Sequence, residues 1–176
     1  MYENGDNTDI QSRGDTFSLA RIFGFGKTRE EWRGPGHHGM KVYMAARYGE
    51  AAHMKRVANE VLVPAGFNVI STWINGNEDK VPNYERSPTY HDQALTRVAL
   101  ADLSELSQAD CMLIFGGVPS GGRNFEMGYA YASEIPIFAI GPCDHVFHYL
   151  PEVYGNHFST IEAWINYMKK GVTNEA

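Results

Sequence analysis

From residue 41 onward, short solid runs of hydrophobic residues alternate with longer stretches in which hydrophobic positions fall three or four apart. The runs Lys41 to Ala46, Cys111 to Phe115 and Ile135 to Ile140 have the apolar density of strands covered on both faces. Phe67 to Ile74 (FNVISTWI) alternates and is β-branched, which predicts a strand along its whole length, and Tyr154 to Phe158 predicts a short fifth. Ala52, Met54, Val57, Ala58, Val61 and Leu62 mark one face of a first helix, closed by Pro64-Ala65-Gly66. Leu95, Val98, Leu103 and Leu106 predict one or two helices between Tyr90 and Gln108, and a small-residue helix pattern starts at about Arg123. Ile161, Trp164, Ile165 and Met168 mark a last helix, with Thr160 as its cap and lysines at its end. Strands alternating with helices predict an α/β fold: a Rossmann-like, parallel five-stranded sheet in the flavodoxin-like order 2-1-3-4-5, with helices on both faces.

Two stretches stand outside this pattern. Residues 1–39 are polar and glycine-rich apart from the island Phe17 to Phe25, which predicts a flexible N-terminal extension ahead of a catalytic-sized domain at 40–172. The fragment Gly24-Phe25-Gly26-Lys27-Thr28 has part of a phosphate loop, but Arg21 occupies the position of the required first glycine and no strand precedes it. Asn75 to Thr89 is longer than an ordinary connection, which favours a lid over a plain turn.

Composition narrows the class. With 176 residues, 43% of them hydrophobic, the chain fits one domain with a tail and an ordinary core. A net charge of −6 argues against binding a nucleic-acid polymer, which needs a basic face. The two cysteines, Cys111 and Cys143, form neither a metal pattern nor a disulfide framework, and with no run near the roughly 20 apolar residues that span a bilayer the expected setting is cytoplasmic. His145 and His148 have helical metal spacing, yet no cysteine or carboxylate converges on them, so no metal and no cofactor are expected.

The stretch from Gln108 to Ala132 carries the candidate chemistry. It reads as strand, glycine-rich turn (Gly116, Gly117, Gly121, Gly122) and helix, and Glu126 falls on the first turn of that helix, beyond the carboxyl end of the strand, where open α/β sheets bind ligands. A carboxylate there is a candidate nucleophile; the plain alternative is a solvated glutamate favoured by the helix dipole. If strands one and three are neighbours, the crevice is lined by Tyr43, Arg47 and Tyr48 from the first loop and by Gly116 to Glu126 from the third. Gly117, Gly122, Arg123 and Asn124 are then candidate substrate contacts, with Trp73 above them. Asp102 precedes strand three, so only the helix carrying it could turn it toward the crevice. Asp110 reads as structural, fixing the turn into strand three, and Tyr43 in an apolar strand is by default a core aromatic whose hydroxyl needs a partner.

Taken together, VYMAARYG (residues 42–49), ADLSELSQADCMLIF (101–115) and GGRNFEMGYAYA (121–132) resemble the nucleoside 2-deoxyribosyltransferase family and its relatives, the nucleoside monophosphate N-glycoside hydrolases. The resemblance spans residues 40–170. It implies that Glu126 attacks C1′ of the sugar, that Asp102 gives a proton to the departing base, and that Tyr43 holds the nucleophile in place. Cleaving an N-glycosidic bond builds positive charge on the sugar and negative charge on the base, so the two carboxyls must differ in protonation. Arg47 or Arg123 would bind a phosphate, or instead pair with acids; Trp73 and Tyr48 would stack on the base, or serve as core and rim. The transferases carry an aspartate six residues before the nucleophile, where this chain has Ser120, and that departure moves weight toward hydrolysis. The expectation is an enzyme acting on a small nucleoside or nucleotide, hydrolysing it or transferring its sugar, and forming a homo-oligomer. The alternative from another class is a non-catalytic nucleotide-sensing module.

Overall fold

The computed structural model describes residues 37–76 and 92–170. The phosphate-loop-like fragment, most of the extension and most of the long loop lie outside the described residues. The described chain runs β1 (Lys41–Ala45), a 3₁₀ turn (Tyr48–Glu50), α1 (Ala51–Arg56) continuing as a π-helical stretch (Val57–Leu62), β2 (Asn68–Val69), a 3₁₀ turn (Thr72–Asn75) and α2 (Asp92–Leu106). It continues through β3 (Cys111–Phe115), α3 (Gly121–Ala132), β4 (Ile137–Ile140), a 3₁₀ turn (Val146–Tyr149), α4 (Pro151–Tyr154), β5 (His157–Phe158) and α5 (Ile161–Lys170).

All five strands are parallel, in the order β2-β1-β3-β4-β5. This is the predicted topology. β1 and β3 sit at the centre as buried runs, because both of their faces are covered. Tyr43, Met112 and Ile137 are in register on one face, and Met44, Leu113 and Phe138 on the other. The two faces meet different helices: Glu126 of α3 reaches Tyr43 on the first, and Trp164 of α5 packs edge-on against Phe138 on the second, with ring centroids 5.9 Å apart. Asp110 sets the entry to β3, its carboxylate accepting from the Lys41 N–H at 2.8 Å while its own N–H donates to the Lys41 carbonyl at 2.9 Å.

The second strand departs from its prediction. Pairing covers only Lys41 with Asn68 and Val42 with Val69, and the chain then leaves the sheet into the turn Thr72–Asn75. The reason lies in β1. The Met44 N–H donates to Ser71 Oγ at 2.5 Å, and the Met44 carbonyl accepts from Trp73 Nε1 at 2.7 Å, so side chains take the ladder positions a longer β2 would have used. At the other end, His37 to Met40 dock onto the domain through a hydrogen bond from the Gly39 N–H to the Gly66 carbonyl, and Met40 is buried.

Two loops cross closely at the carboxyl ends of the central strands. Gly116 ends β3, and a Cβ there would stand 1.8 Å from the Pro142 carbonyl oxygen, a backbone atom that cannot rotate away. Gly116→Ala is therefore expected to destabilise the fold by about 3 kcal/mol or more, the upper end for overpacking. Gly128→Ala, with open space around its Cβ on α3, is expected to stabilise it by about 0.5–1 kcal/mol. Denaturant unfolding of the two variants checks the contrast.

Candidate active site

A cavity of about 770 Å³ opens beyond the carboxyl ends of β1 and β3, where the strand order reverses direction. Four segments build it: the Ala46–Tyr48 loop after β1, Trp73 of the Thr72–Asn75 turn, the segment from Pro119 into α3, and one face of α2. Ser120 starts α3 in extended conformation and its Oγ accepts from the Arg123 N–H at 3.3 Å, so the helix begins beside the cavity and presents Glu126 to it.

Tyr43 is fully buried in β1. Its hydroxyl donates to Glu126 Oε1 at 2.7 Å, an ordinary O–H···O length. Burial first, and then the negative charge of Glu126, hold the phenol well above its ordinary pKa, so it keeps its proton and acts as a donor. Asp102 projects from the carboxyl-terminal half of α2 into the same cavity, half-buried. Its pKa is raised to about 6, mainly by burial and secondarily by the charge of Glu105. The helix thus supplies the turn toward the crevice that Asp102 requires.

The two arginines differ. Arg47 is exposed at the cavity wall and has no ion pair among the described residues. Arg123 is 1% exposed: its Nη1 donates to the Phe115 carbonyl and its Nη2 pairs with Asp144 Oδ1 at 2.7 Å. Asp144 also accepts from the Gly117 N–H at 3.0 Å, and Arg123 leads the interactions that hold its carboxyl below the ordinary range against its partial burial. Arg123 thus reaches the cavity wall with its charge already matched.

Tyr48 and Gly122 line the cavity, and so does Trp73, although Trp73 is 5% exposed with its indole N–H fixed on Met44. Gly117 and Asn124 do not line it. Gly117, at a left-handed φ of +104°, turns its N–H to Asp144, and the Asn124 Oδ1 is buried on α3. His148 is buried against Asp144, and among the described residues no cluster of three potential metal ligands exists. Phe125, a 67% exposed aromatic on the rim, falls within the stretch expected to line the crevice, whereas sequence reasoning missed the wall of α2 formed by Val98, Ala99 and Leu103. The signal for that wall was present, since Val98 and Ala99 stand four and three residues before Asp102 on one helical face.

No protein-family model and no curated protein matches this chain. Among solved structures, it is similar to the 2-deoxyribosyltransferase of the psychrotolerant bacterium Bacillus psychrosaccharolyticus, at 18% identity and a TM-score of 0.50, over 73% of this chain and 90% of that one. The chain has that transferase's fold. It is also similar to the CMP N-glycosidase of Clostridium botulinum, at 18% identity and a TM-score of 0.43, over 72% of this chain and 95% of that one. At these identities the likeness concerns the fold, and the chemistry has to be argued from the cavity. Among the described residues no helix is long and apolar enough to cross a membrane.

The raised pKa of Asp102 links this site to stability. A group that holds its proton more tightly when folded contributes stability below its unfolded pKa, and that contribution is lost as pH rises through the folded value. Wild type should therefore lose stability between the ordinary value of 3.8 and about 6. Asp102→Asn, which has no charge to bury, is expected to be more stable than wild type at pH 7 by about 1 kcal/mol after allowance for solvent screening, and equal to it at pH 3.5. Thermal melts at the two pH values measure the difference.

Proposed function

We propose that this chain is an enzyme that cleaves the N-glycosidic bond of a nucleoside or nucleoside 5′-monophosphate, with Glu126 as nucleophile. The observation that carries the reading is the 2.7 Å hydrogen bond from the buried Tyr43 hydroxyl to Glu126, in a cavity shared with an aspartate whose pKa is raised to about 6. The fold of the transferase and the resemblance of residues 42–49, 101–115 and 121–132 support it. In the first step a Glu126 oxygen bonds to C1′ as the C1′–N bond breaks, and the bonding pair leaves on the base nitrogen, which takes the proton of Asp102. In the second step water or another base attacks C1′, its proton passes to the Asp102 carboxylate, and Glu126 leaves as a carboxylate again.

Tyr43 has a defined part in both steps. Its hydroxyl occupies one Glu126 oxygen, fixes the carboxylate rotamer and leaves the other oxygen for C1′. Ser120, capping α3 where the transferases carry an aspartate, supports water over a second base as the acceptor. The exposed apolar side chains Val146, Phe147, Tyr149 and Tyr154 support a homo-oligomer.

Incubating the protein with a panel of nucleosides and monophosphates, with and without a second free base, and following base release by chromatography tests the reading. Wild type should release base; Glu126→Ala should reduce the rate by at least about 10³-fold, and Tyr43→Phe by about 10–100-fold, mainly in kcat. Binding without release from any substrate would leave a nucleotide-sensing module instead.

Arg47 gives a second measurement. As the exposed cation at the wall it would pair with a 5′-phosphate, so Arg47→Ala should raise KM for monophosphates by about 10–100-fold and leave KM for free nucleosides within about twofold. Equal effects on both would place the phosphate elsewhere or remove it from the substrate.

A further inference from the structure

One carboxylate at the edge of this site has no part in the chemistry above. Glu105 stands on α2 one turn after Asp102, half-buried, and faces the turn Thr72–Asn75. Its Oε2 accepts from the Thr72 N–H at 2.9 Å and its Oε1 from the Thr72 hydroxyl. That turn has no cap of its own, because the hydroxyl of Ser71, at its N-cap position, is engaged by the Met44 N–H. Glu105 therefore caps, from another element, the first residue of the turn that carries Trp73.

We propose that Glu105 is a positioning residue of this site, tying the helix that presents Asp102 to the turn that presents Trp73, so that acid and indole wall hold one spacing across the cavity. The proposal rests on the function proposed above and deepens it. Among the described residues α2 packs against α3 and the Thr72–Asn75 turn, and this double hydrogen bond joins the half of the helix that carries Asp102 to that turn. Without the tie, this double hydrogen bond between α2 and the turn is lost, and a displacement of about 1 Å at a reacting group can cost about 10²-fold in rate.

The same carboxylate also acts through its charge. Among the described residues the charged and titratable groups around Asp102 are Glu105 on its own helix, Tyr43 on β1, Glu126 and Arg123 on α3, and Arg47 after β1. Arg123 is matched by Asp144, and Glu105 is the neighbour whose charge raises Asp102 after burial has done so. A general acid works only while protonated, so losing the Glu105 charge should move the fall in activity to lower pH.

Three variants separate tie from charge: Glu105→Gln, Glu105→Ala and Thr72→Val, with Glu60→Ala, an exposed glutamate elsewhere, as control. Carbon-13 NMR of the Asp102 carboxyl reads the charge effect without turnover, and base release against pH reads both. In wild type the Asp102 titration midpoint should lie at about 6. Glu105→Gln should bring it down toward the ordinary aspartate value and shift the alkaline fall in base release with it, while keeping most of the low-pH rate. Glu105→Ala should show the same shift and a further loss of about 10–100-fold in kcat. Thr72→Val, which keeps the charge and removes the hydroxyl, should lower kcat several-fold with the midpoint unmoved. Should Glu105→Ala not fold, the other two variants still decide the matter. The proposal is overturned if the Asp102 midpoint is the same in Glu105→Gln as in Glu60→Ala, or if Thr72→Val and both Glu105 variants turn over at the control's rate. A wild type that releases no base overturns the proposed reaction alone, because the titration of Asp102 judges Glu105 without it.

Discussion

A phenol hydroxyl sealed inside a parallel sheet has to be paired, and for Tyr43 the partner is Glu126. That requirement links the two halves of the site. β1 supplies the tyrosine from the most buried layer of the molecule, and α3 can meet it only if the helix starts close against the end of β3. Gly116, with no room for a side chain beside the Pro142 carbonyl, and Ser120, capping the first turn, let it start there. An unpaired buried hydroxyl would cost about 1–3 kcal/mol, so the same bond that orients the Glu126 carboxylate also keeps the sheet from carrying an orphan donor.

Charge is partitioned across the cavity rather than pooled. Arg123 and Asp144 neutralise each other beneath the glycine loop and brace it, through the Phe115 carbonyl on one side and the Gly117 N–H on the other. With that pair internally matched, the wall offers two acids and the exposed Arg47. Burial raises one acid to about 6 while a buried donor holds the other. Two carboxyls in one cavity thereby meet different surroundings, which the proposed pairing of a general acid with a nucleophile requires.

Much of this was legible in the residues. Solid apolar runs at 41–46 and 111–115 place two strands in the sheet centre, and helical spacing between them leaves few topologies other than 2-1-3-4-5. The structural role of Asp110 at the turn into strand three was legible as an acid placed just before a buried strand, whereas its partner, the Lys41 N–H, was not. The length of β2 was not legible, because its early end depends on Ser71 and Trp73 capturing the Met44 backbone, a tertiary event that the alternating FNVISTWI pattern does not record. Arg123 and Arg47 were equivalent as cations beside glycine-rich loops; only the fold shows that Asp144, 21 residues away in sequence, claims one of them. The capping role of Glu105 went unread for the same reason, since nothing local marks a glutamate as the cap of a turn 33 residues earlier.

The elements that define this site are thus held by side chains borrowed from elsewhere. Ser71 and Trp73 end a strand by binding the backbone of its neighbour, Glu105 caps a turn on a different segment, and Asp144 fixes a loop that belongs to the strand beside its own. Each of these bonds joins two segments that both contribute to the cavity wall or lie directly beneath it. Local propensity alone would leave a two-residue strand and a four-residue turn marginal, since neither forms enough internal hydrogen bonds to offset the ordering of its backbone. Their stability is therefore conditional on the same contacts that set the cavity's shape. It follows that a substitution which loosens one of these cross-segment bonds should alter the site before it alters the sheet, whose central strands are joined backbone to backbone over four paired residues on each side of β3.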